Sequence, residues 1–251
     1  MTFWRSLSPG KQKTGPRLPG GRRIYAIGDI HGSATLFDRL IDRILADSIG
    51  RDGRRGTVIV LGDFIDRGTD SAAIVQSLFA QRASDNLVVL LGNHEAAMIA
   101  AYRGDRAALG FWLTFGGDAT LASFGANVAG TDPADVEAMM GLLRRCVPFE
   151  LVNWMETLPT SYRAGDYLFA HAGIRPGVSL SRQKTADLLW IRDEFLASDD
   201  DHGVVVVHGH SPIDQVEFRT NRIGVDTGAY KSGILSAVGL EADERWVIDT
   251  R

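Results

Sequence analysis

The sequence predicts an α/β fold, and three stretches of similar form predict it. Each is a short apolar run, suited to a buried strand, that stops at glycine and gives way to polar residues able to do chemistry. Thr57-Val58-Ile59-Val60-Leu61 runs into Gly62-Asp63-Phe64-Ile65-Asp66-Arg67-Gly68. Arg23-Ile24-Tyr25-Ala26-Ile27 runs into Gly28-Asp29-Ile30-His31-Gly32, and Leu87-Val88-Val89-Leu90-Leu91 into Gly92-Asn93-His94-Glu95. Ligands of α/β sheets bind at the carboxyl ends of strands, so the repetition marks a site.

The intervening segments read as amphipathic helices. After Ser33, a cap residue, Leu36, Phe37, Leu40, Ile41, Ile44 and Leu45 recur on one helical face, with Asp38, Arg39, Asp42 and Arg43 on the other. A second helix starts at Asp70 or Ser71 and buries Ile74, Val75, Leu78 and Phe79. From 96 to 159 the character turns helical, with helices expected over 96–102, 132–145 and 149–158. In that insertion Met98, Trp112, Phe115, Met139, Met140 and Trp154 sit at helical spacings and are assigned to the core. Gly116-Gly117-Asp118 is read as a turn between helices.

Strands resume at Tyr167–Ala170, ending in His171-Ala172-Gly173, and at Val204–Val207, ending in His208-Gly209-His210. Arg222–Val225 and Ile234–Leu240 follow, joined by Asp226-Thr227-Gly228-Ala229-Tyr230. Their close spacing suggests an antiparallel sheet. The first half is therefore βαβαβ and the second mostly β.

At 251 residues, 45% hydrophobic, the chain suffices for one large core. A net charge of -4 argues against a nucleic-acid surface, which carries a basic excess, yet local metals or arginines bind phosphate whatever the global charge. The lone Cys146 forms no internal disulfide, and no apolar segment approaches a membrane span. The expectation is a cytoplasmic monomer without nucleic-acid or membrane partners. Residues 1–22, basic through Arg5, Lys11, Lys13, Arg17 and Arg22 and lacking any acid, read as a disordered leader before a single catalytic domain at 23–251.

Five of the six histidines, His31, His94, His171, His208 and His210, fall at or beside the end of an expected strand, together with Asp29, Asp63, Asp66 and Asn93. Carboxylate, amide and imidazole ligands without thiolate suit Mn²⁺, Fe or Zn²⁺ in a working site rather than a structural zinc. A carboxylate can bridge two cations about 3.5–4 Å apart, and Asp63, central among the strands, is the candidate. Two such cations lower the pKa of a shared water and neutralise phosphate oxygens, so a hydroxide can attack directly. His94, held protonated by Asp66, suits protonation of the leaving group, and Arg67 and Arg192 suit the remaining phosphate oxygens. A thiol mechanism is excluded, because Cys146 is followed by Val147-Pro148-Phe149-Glu150-Leu151-Val152, with no arginine to cradle phosphate.

The motifs Gly-Asp-Ile-His-Gly, Gly-Asp-Phe-Ile-Asp-Arg-Gly, Gly-Asn-His-Glu, His-Ala-Gly and a late Gly-His, spanning residues 24 to about 230, resemble the metal-dependent phosphoprotein phosphatases of the calcineurin-like metallophosphoesterase family. In detail they look closest to bacterial and phage members acting on phosphorylated serine, threonine or tyrosine. The resemblance implies two mixed β-sheets sandwiched between helices. It also implies that Asp29, His31 and Asp63 bind one metal, that Asp63, Asn93, His171 and His210 bind the other, and that His94 and Asp66 form the acid pair. Arg67 and Arg192, the latter in Leu189-Trp190-Ile191-Arg192, would bind phosphate, and Tyr230 would stand beside the cleft. His210 rather than His208 aligns with the Gly-His motif. Phe64-Ile65 replaces the usual Tyr-Val. The expected function is hydrolysis of phosphomonoesters on proteins with two divalent ions, most simply Mn²⁺; the alternative is a symmetrical diadenosine tetraphosphate hydrolase, which shares the motif set. A pseudoenzyme keeping metals for structure is the non-catalytic reading.

Overall fold

In the computed structural model, which describes residues 15–251, ten strands form two sheets of five. The chain begins β1 (Arg23–Ile27), α1 (Ala34–Asp52), β2 (Thr57–Val60), α2 (Ser71–Ala80), β3 (Leu87–Val89) and α3 (Asn93–Arg103). The insertion continues with α4 (Arg106–Trp112), a π-helical turn at Leu113–Gly117, α5 (Asp118–Ser123), α6 (Val136–Cys146) and α7 (Phe149–Glu156). The second half holds β4 (Ser161–Ala164), β5 (Tyr167–Ala170), α8 (Thr185–Trp190), α9 (Asp193–Leu196), β6 (Val205–His208), β7 (Glu217–Phe218), β8 (Arg222–Gly224), α10 (Ala229–Ser232), β9 (Ser236–Glu241) and β10 (Glu244–Asp249).

Both sheets are mixed. The first runs β10-β9-β1-β2-β3, with β1, β2 and β3 mutually parallel and β9 antiparallel to β1. The second runs β4-β5-β6-β8-β7, with β5, β6 and β8 parallel. Alternation sorts the side chains into layers. Ile24, Ala26, Ile59 and Leu61 from one sheet meet Tyr167, Phe169, Val205 and Val207 from the other in a shared core. Tyr25, Ile27 and Val60 face the opposite way, into α1, α2 and the insertion, while Leu168, Ala170 and Val206 pack against Leu188, Ile191 and Phe195. The α/β fold with two mixed sheets between helices is thus the observed one.

One strand assignment is corrected. β8 and β9, expected to pair with each other, lie in different sheets: β8 is parallel to β6, and β9 closes on β1. The residues between them cross from one sheet to the other, which short spacing alone could not reveal. The structure also adds β4, β7 and β10, edge strands or short pairs whose half-exposed residues lack a buried apolar run. At Ser33 the helix begins as expected, with Phe37 N–H donating to the Ser33 carbonyl, but the side chain makes no capping bond. Asp135, whose carboxylate accepts from Ala138 N–H at 3.0 Å, starts α6 three residues after the expected onset.

The first fourteen residues of the expected basic leader lie outside the described residues. From residue 16 the chain is tied to both sheets: Arg17 N–H donates to Asp166, Asp166 N–H to the Arg17 carbonyl, and Leu18 N–H to the Ala242 carbonyl at 2.8 Å. Leu18 is 4% exposed within the inter-sheet core. Leu18→Ala is expected to cost about 2–5 kcal/mol in urea denaturation, the usual range for truncating a buried leucine; a change within error would show that this segment lies outside the cooperative unit.

Candidate active site

The site forms where the parallel strands of both sheets end. Asp29 and His31 follow β1, Asp63, Asp66 and Arg67 follow β2, Asn93 and His94 open α3 after β3, His171 follows β5, and His210 follows β6. The loop after β8 brings Asp226 and Tyr230 to the same place. Among the described residues six non-glycine residues have positive φ, and five belong here: His31, Asp63, Asp66, Arg67 and His210. Each left-handed residue costs on the order of 1–3 kcal/mol. Such strain persists only where other bonds over-determine the backbone.

Much of that determination comes from Glu95, fully buried at the first turn of α3. Its Oε2 accepts the N–H groups of Asp63 and Gly92 at 2.9 and 3.0 Å; its Oε1 accepts those of Phe64 and Ile65 at 2.9 and 3.1 Å. Burial and the nearby Asp63 charge push the carboxyl up, to about 8. Four converging N–H donors nevertheless leave an added proton no acceptor, and Glu95 is read as ionised. Gly92 is required by close approach, because a Cβ there would strike the Asp63 N–H and Glu95 itself.

The imidazoles are aimed by their far nitrogens. His31 Nδ1 lies 2.9 Å from the Ile65 carbonyl and His171 Nδ1 2.9 Å from the Leu61 carbonyl. Donation through Nδ1 leaves each Nε2 with a lone pair facing the pocket. His171 Nε2 then stands 2.8 Å from Asn93 Oδ1, 3.1 Å from His210 Nδ1 and 3.4 Å from Asp63 Oδ1. His31 Nε2 stands 3.9 Å from Asp29 Oδ2 and 3.8 Å from Asp63 Oδ2. Asp29 is fixed by His210 N–H, which donates to both its oxygens, and Gly209 leaves the space for that approach.

Buried lone pairs that face one another need a cation between them. Among the described residues the two groups that could hold one, His31 with Asp63 and His94, and Asp63 with His171 and His210, share Asp63. Donor chemistry and mutual placement therefore fit a pair of cations bridged by that carboxylate. Electrostatics agree. Desolvation pushes His31 down to about 3 and His210 down as well. Burial alone would raise Asp63, but His171, His94 and His31 outweigh it and hold the carboxyl low. Asp29 is raised by burial and by the neighbouring Asp226 and Asp63.

His94 is oriented differently. Its Nδ1 lies 2.6 Å from Asp66 Oδ2, and its Nε2 is 3.3 Å from the Arg67 guanidinium and 3.7 Å from Asp63 Oδ2. Burial would lower this imidazole, but the Asp63 charge and the Asp66 bond outweigh it and raise it. Asp66 is itself held by the insertion: Trp112 Nε1 donates to both oxygens at 3.0 and 2.9 Å, and Thr120 Oγ1 donates to Oδ1 at 2.6 Å. Ser71 and Thr120 accept from Asp66 N–H.

Arg67 lies 4.5 Å over the Tyr230 ring, which meets His31 edge-on at 5.4 Å. Arg192 is exposed, yet near enough for its charge to lower His171 and His210. His208 points elsewhere, packing edge-on against Phe195 at 5.1 Å and lying outside both metal groups.

The chain matches the calcineurin-like phosphoesterase family over residues 22–233. It belongs to that family. Among its relatives, the symmetrical bis(5'-nucleosyl)-tetraphosphatase of Acidovorax sp. (strain JS42) is 29% identical over 61% of this chain and 44% of its own. The chain spans less than half the length of that relative. Serine/threonine-protein phosphatase 1 of Salmonella typhimurium is 27% identical, over 88% of this chain and 93% of its own. A solved structure of a presumed diadenosine tetraphosphatase superposes at a TM-score of 0.62, with 19% identity, over 91% of this chain and 93% of that one. That likeness concerns the fold. Among the described residues no helix is long and apolar enough to cross a membrane.

Four residues around the site escaped the sequence reading: Glu95, Trp112, Thr120 and Asp226. Glu95 was visible as part of Gly-Asn-His-Glu, but its task, accepting N–H groups from a distant loop, was not. Trp112 is core, as expected, and its single donor is what reaches Asp66; buried indoles need such a partner. Phe115 is corrected: it is 44% exposed at the mouth of the site rather than part of the core. Gly116-Gly117, expected as a turn between helices, is a kink in a π-helical turn that joins α4 to α5, and the Gly116 carbonyl accepts from Arg67 N–H at 3.2 Å. Cys146 is half-buried at the end of α6.

Glu95→Gln replaces one of the two accepting oxygens of the clamp with an NH2 group that faces two N–H donors. Unfolding free energy is expected to fall by roughly 2–4 kcal/mol, with a weaker Mn²⁺ affinity in calorimetric titration; unchanged values in both would refute the clamp.

Proposed function

We propose that the protein is a metal-dependent phosphomonoesterase acting on phosphorylated proteins or peptides. The geometry that carries this reading is the approach of His94 Nε2 and Arg67 to one point beside the shared Asp63. Asp29, His31 and Asp63 would hold one divalent cation and Asp63, Asn93, His171 and His210 a second, Mn²⁺ being our choice. When bound, the pair supplies an acidified water and neutralises phosphate oxygens.

The remaining work falls to the chain. Arg67 and Arg192 bind the outer phosphate oxygens through planar guanidinium groups. Water oxygen bonds to phosphorus as the ester P–O bond breaks, and the departing oxygen takes the proton held on His94 Nε2. Asp66, through Nδ1, keeps that imidazole oriented and charged. Although His31 and His94 both face Asp63 with Nε2, the 2.6 Å bond to Asp66 and the raised affinity for a proton favour His94 as acid over His94 as ligand. The sequence match extending across nearly the whole of a serine/threonine phosphatase supports the protein substrate; the sequence match to the Acidovorax tetraphosphatase covers 44% of that protein.

Mn²⁺-loaded protein is expected to release phosphate from a phosphopeptide and to lose that activity reversibly with a chelator. Formation of ADP from diadenosine tetraphosphate, with the phosphopeptide inert, would overturn the substrate assignment. His94→Asn is expected to lower kcat/KM on a phosphoserine peptide by about 10²–10³, with a smaller loss on p-nitrophenyl phosphate, whose leaving group needs no proton. Bound metal, measured by elemental analysis, should be unchanged. Loss of a metal ion, or equal losses on both substrates, would make His94 a ligand instead.

A further inference from the structure

The mouth of the site carries an arc of rings. Trp190 stands 6.3 Å from His210, Phe111 5.4 Å from Trp190, Phe115 4.5 Å from Phe111, and His94 6.3 Å from Phe115. The arc therefore runs from the His171–His210 end of the site to the imidazole placed to meet the leaving group. Its three hydrophobic members are 40–44% exposed, so none is absorbed into the core. Tyr230, as exposed and on the His31 side, is covered by Arg67. Large apolar rings left in water beside a charged pocket have a cost that a substrate group covering them removes.

Given the phosphomonoesterase reading, we propose that Phe111, Phe115 and Trp190 form a leaving-group wall that selects aryl phosphate monoesters, phosphotyrosine in proteins or peptides, over phosphoserine and phosphothreonine. A phenolic ester places its ring one oxygen from phosphorus, at the depth where this wall stands beside His94. Phosphoserine and phosphothreonine bring only a methylene or methine to that depth. In a dinucleoside polyphosphate the base is separated from the central phosphates by a ribose and a further phosphate, so charged oxygens rather than a ring would meet the wall. Trp190 and Arg192 share one short segment, which offers the ring and a phosphate-binding cation together.

The test compares wild type with the Phe111→Ala/Trp190→Ala double variant on phosphotyrosine and phosphoserine peptides of identical flanking sequence, with Mn²⁺. Because aryl esters are intrinsically more reactive, the readout is the change in the kcat/KM ratio between variants. The ratio is expected to fall about tenfold, carried by KM for phosphotyrosine, in keeping with the loss of ring–ring contacts. Equal proportional losses on both peptides, or an unchanged ratio, would overturn the wall. Inert peptides alongside diadenosine tetraphosphate cleavage would instead overturn the underlying function, and phenyl phosphate against glycerol 2-phosphate then still reads the wall through the same ratio. Melting temperature checks that the exposed substitutions leave the fold intact.

Discussion

The site depends on one buried carboxylate that is not itself placed to meet the substrate. Glu95 gathers N–H groups from the loop after β2 and from the start of α3, and so locks two strand ends of the first sheet into a single piece. Asp63 is held at a φ of 48° only because its own N–H and those of the next two residues are all spoken for. Remove that lock and the backbone could relax into an ordinary extended or helical conformation, turning Asp63 away from His171 and His210. The strain at the centre is thus offset at the periphery, by charge-assisted bonds each worth more than a neutral one.

The same economy explains how the protein keeps several buried carboxylates near one another. Asp66 has three donors in Trp112, Thr120 and His94, and Glu95 has four. Asp29 and Asp63 receive fewer bonds, and each presents oxygen toward imidazole lone pairs. Satisfied carboxylates therefore scaffold the site, whereas under-satisfied ones are left for cations. The division follows from hydrogen-bond inventory alone.

The strand-end motifs were legible because their apolar runs are buried on both faces and their polar clusters sit immediately after, so position in sequence translates directly into position in the sheet. The crossing from β8 to β9 was not, since an eleven-residue connection can return to its own sheet or leave it. Phe115 misled for a related reason: helical spacing says that residues share a face, but not whether that face meets protein or water. Trp112 and Phe115 read alike in the sequence. In the structure Trp112 turns inward to Asp66, while Phe115 stays exposed.

Helical spacing gives the insertion two tasks at once. Phe111 and Phe115, four apart, are neighbours along one side of the helix and stand at the mouth, while Trp112 turns inward to Asp66. On the proposed mechanism, one short segment thus sets both the surroundings of the departing group and the hydrogen bonding of the carboxylate behind His94. A shift of α4 toward or away from the pocket would change both together: moving Trp112 off Asp66 strengthens the carboxylate's hold on the His94 proton, and the same motion withdraws Phe111 from the cleft. On the proposed reading, preference for a leaving group and readiness to protonate it are linked through the position of α4, whereas truncating an exposed ring without moving Trp112 changes the first alone.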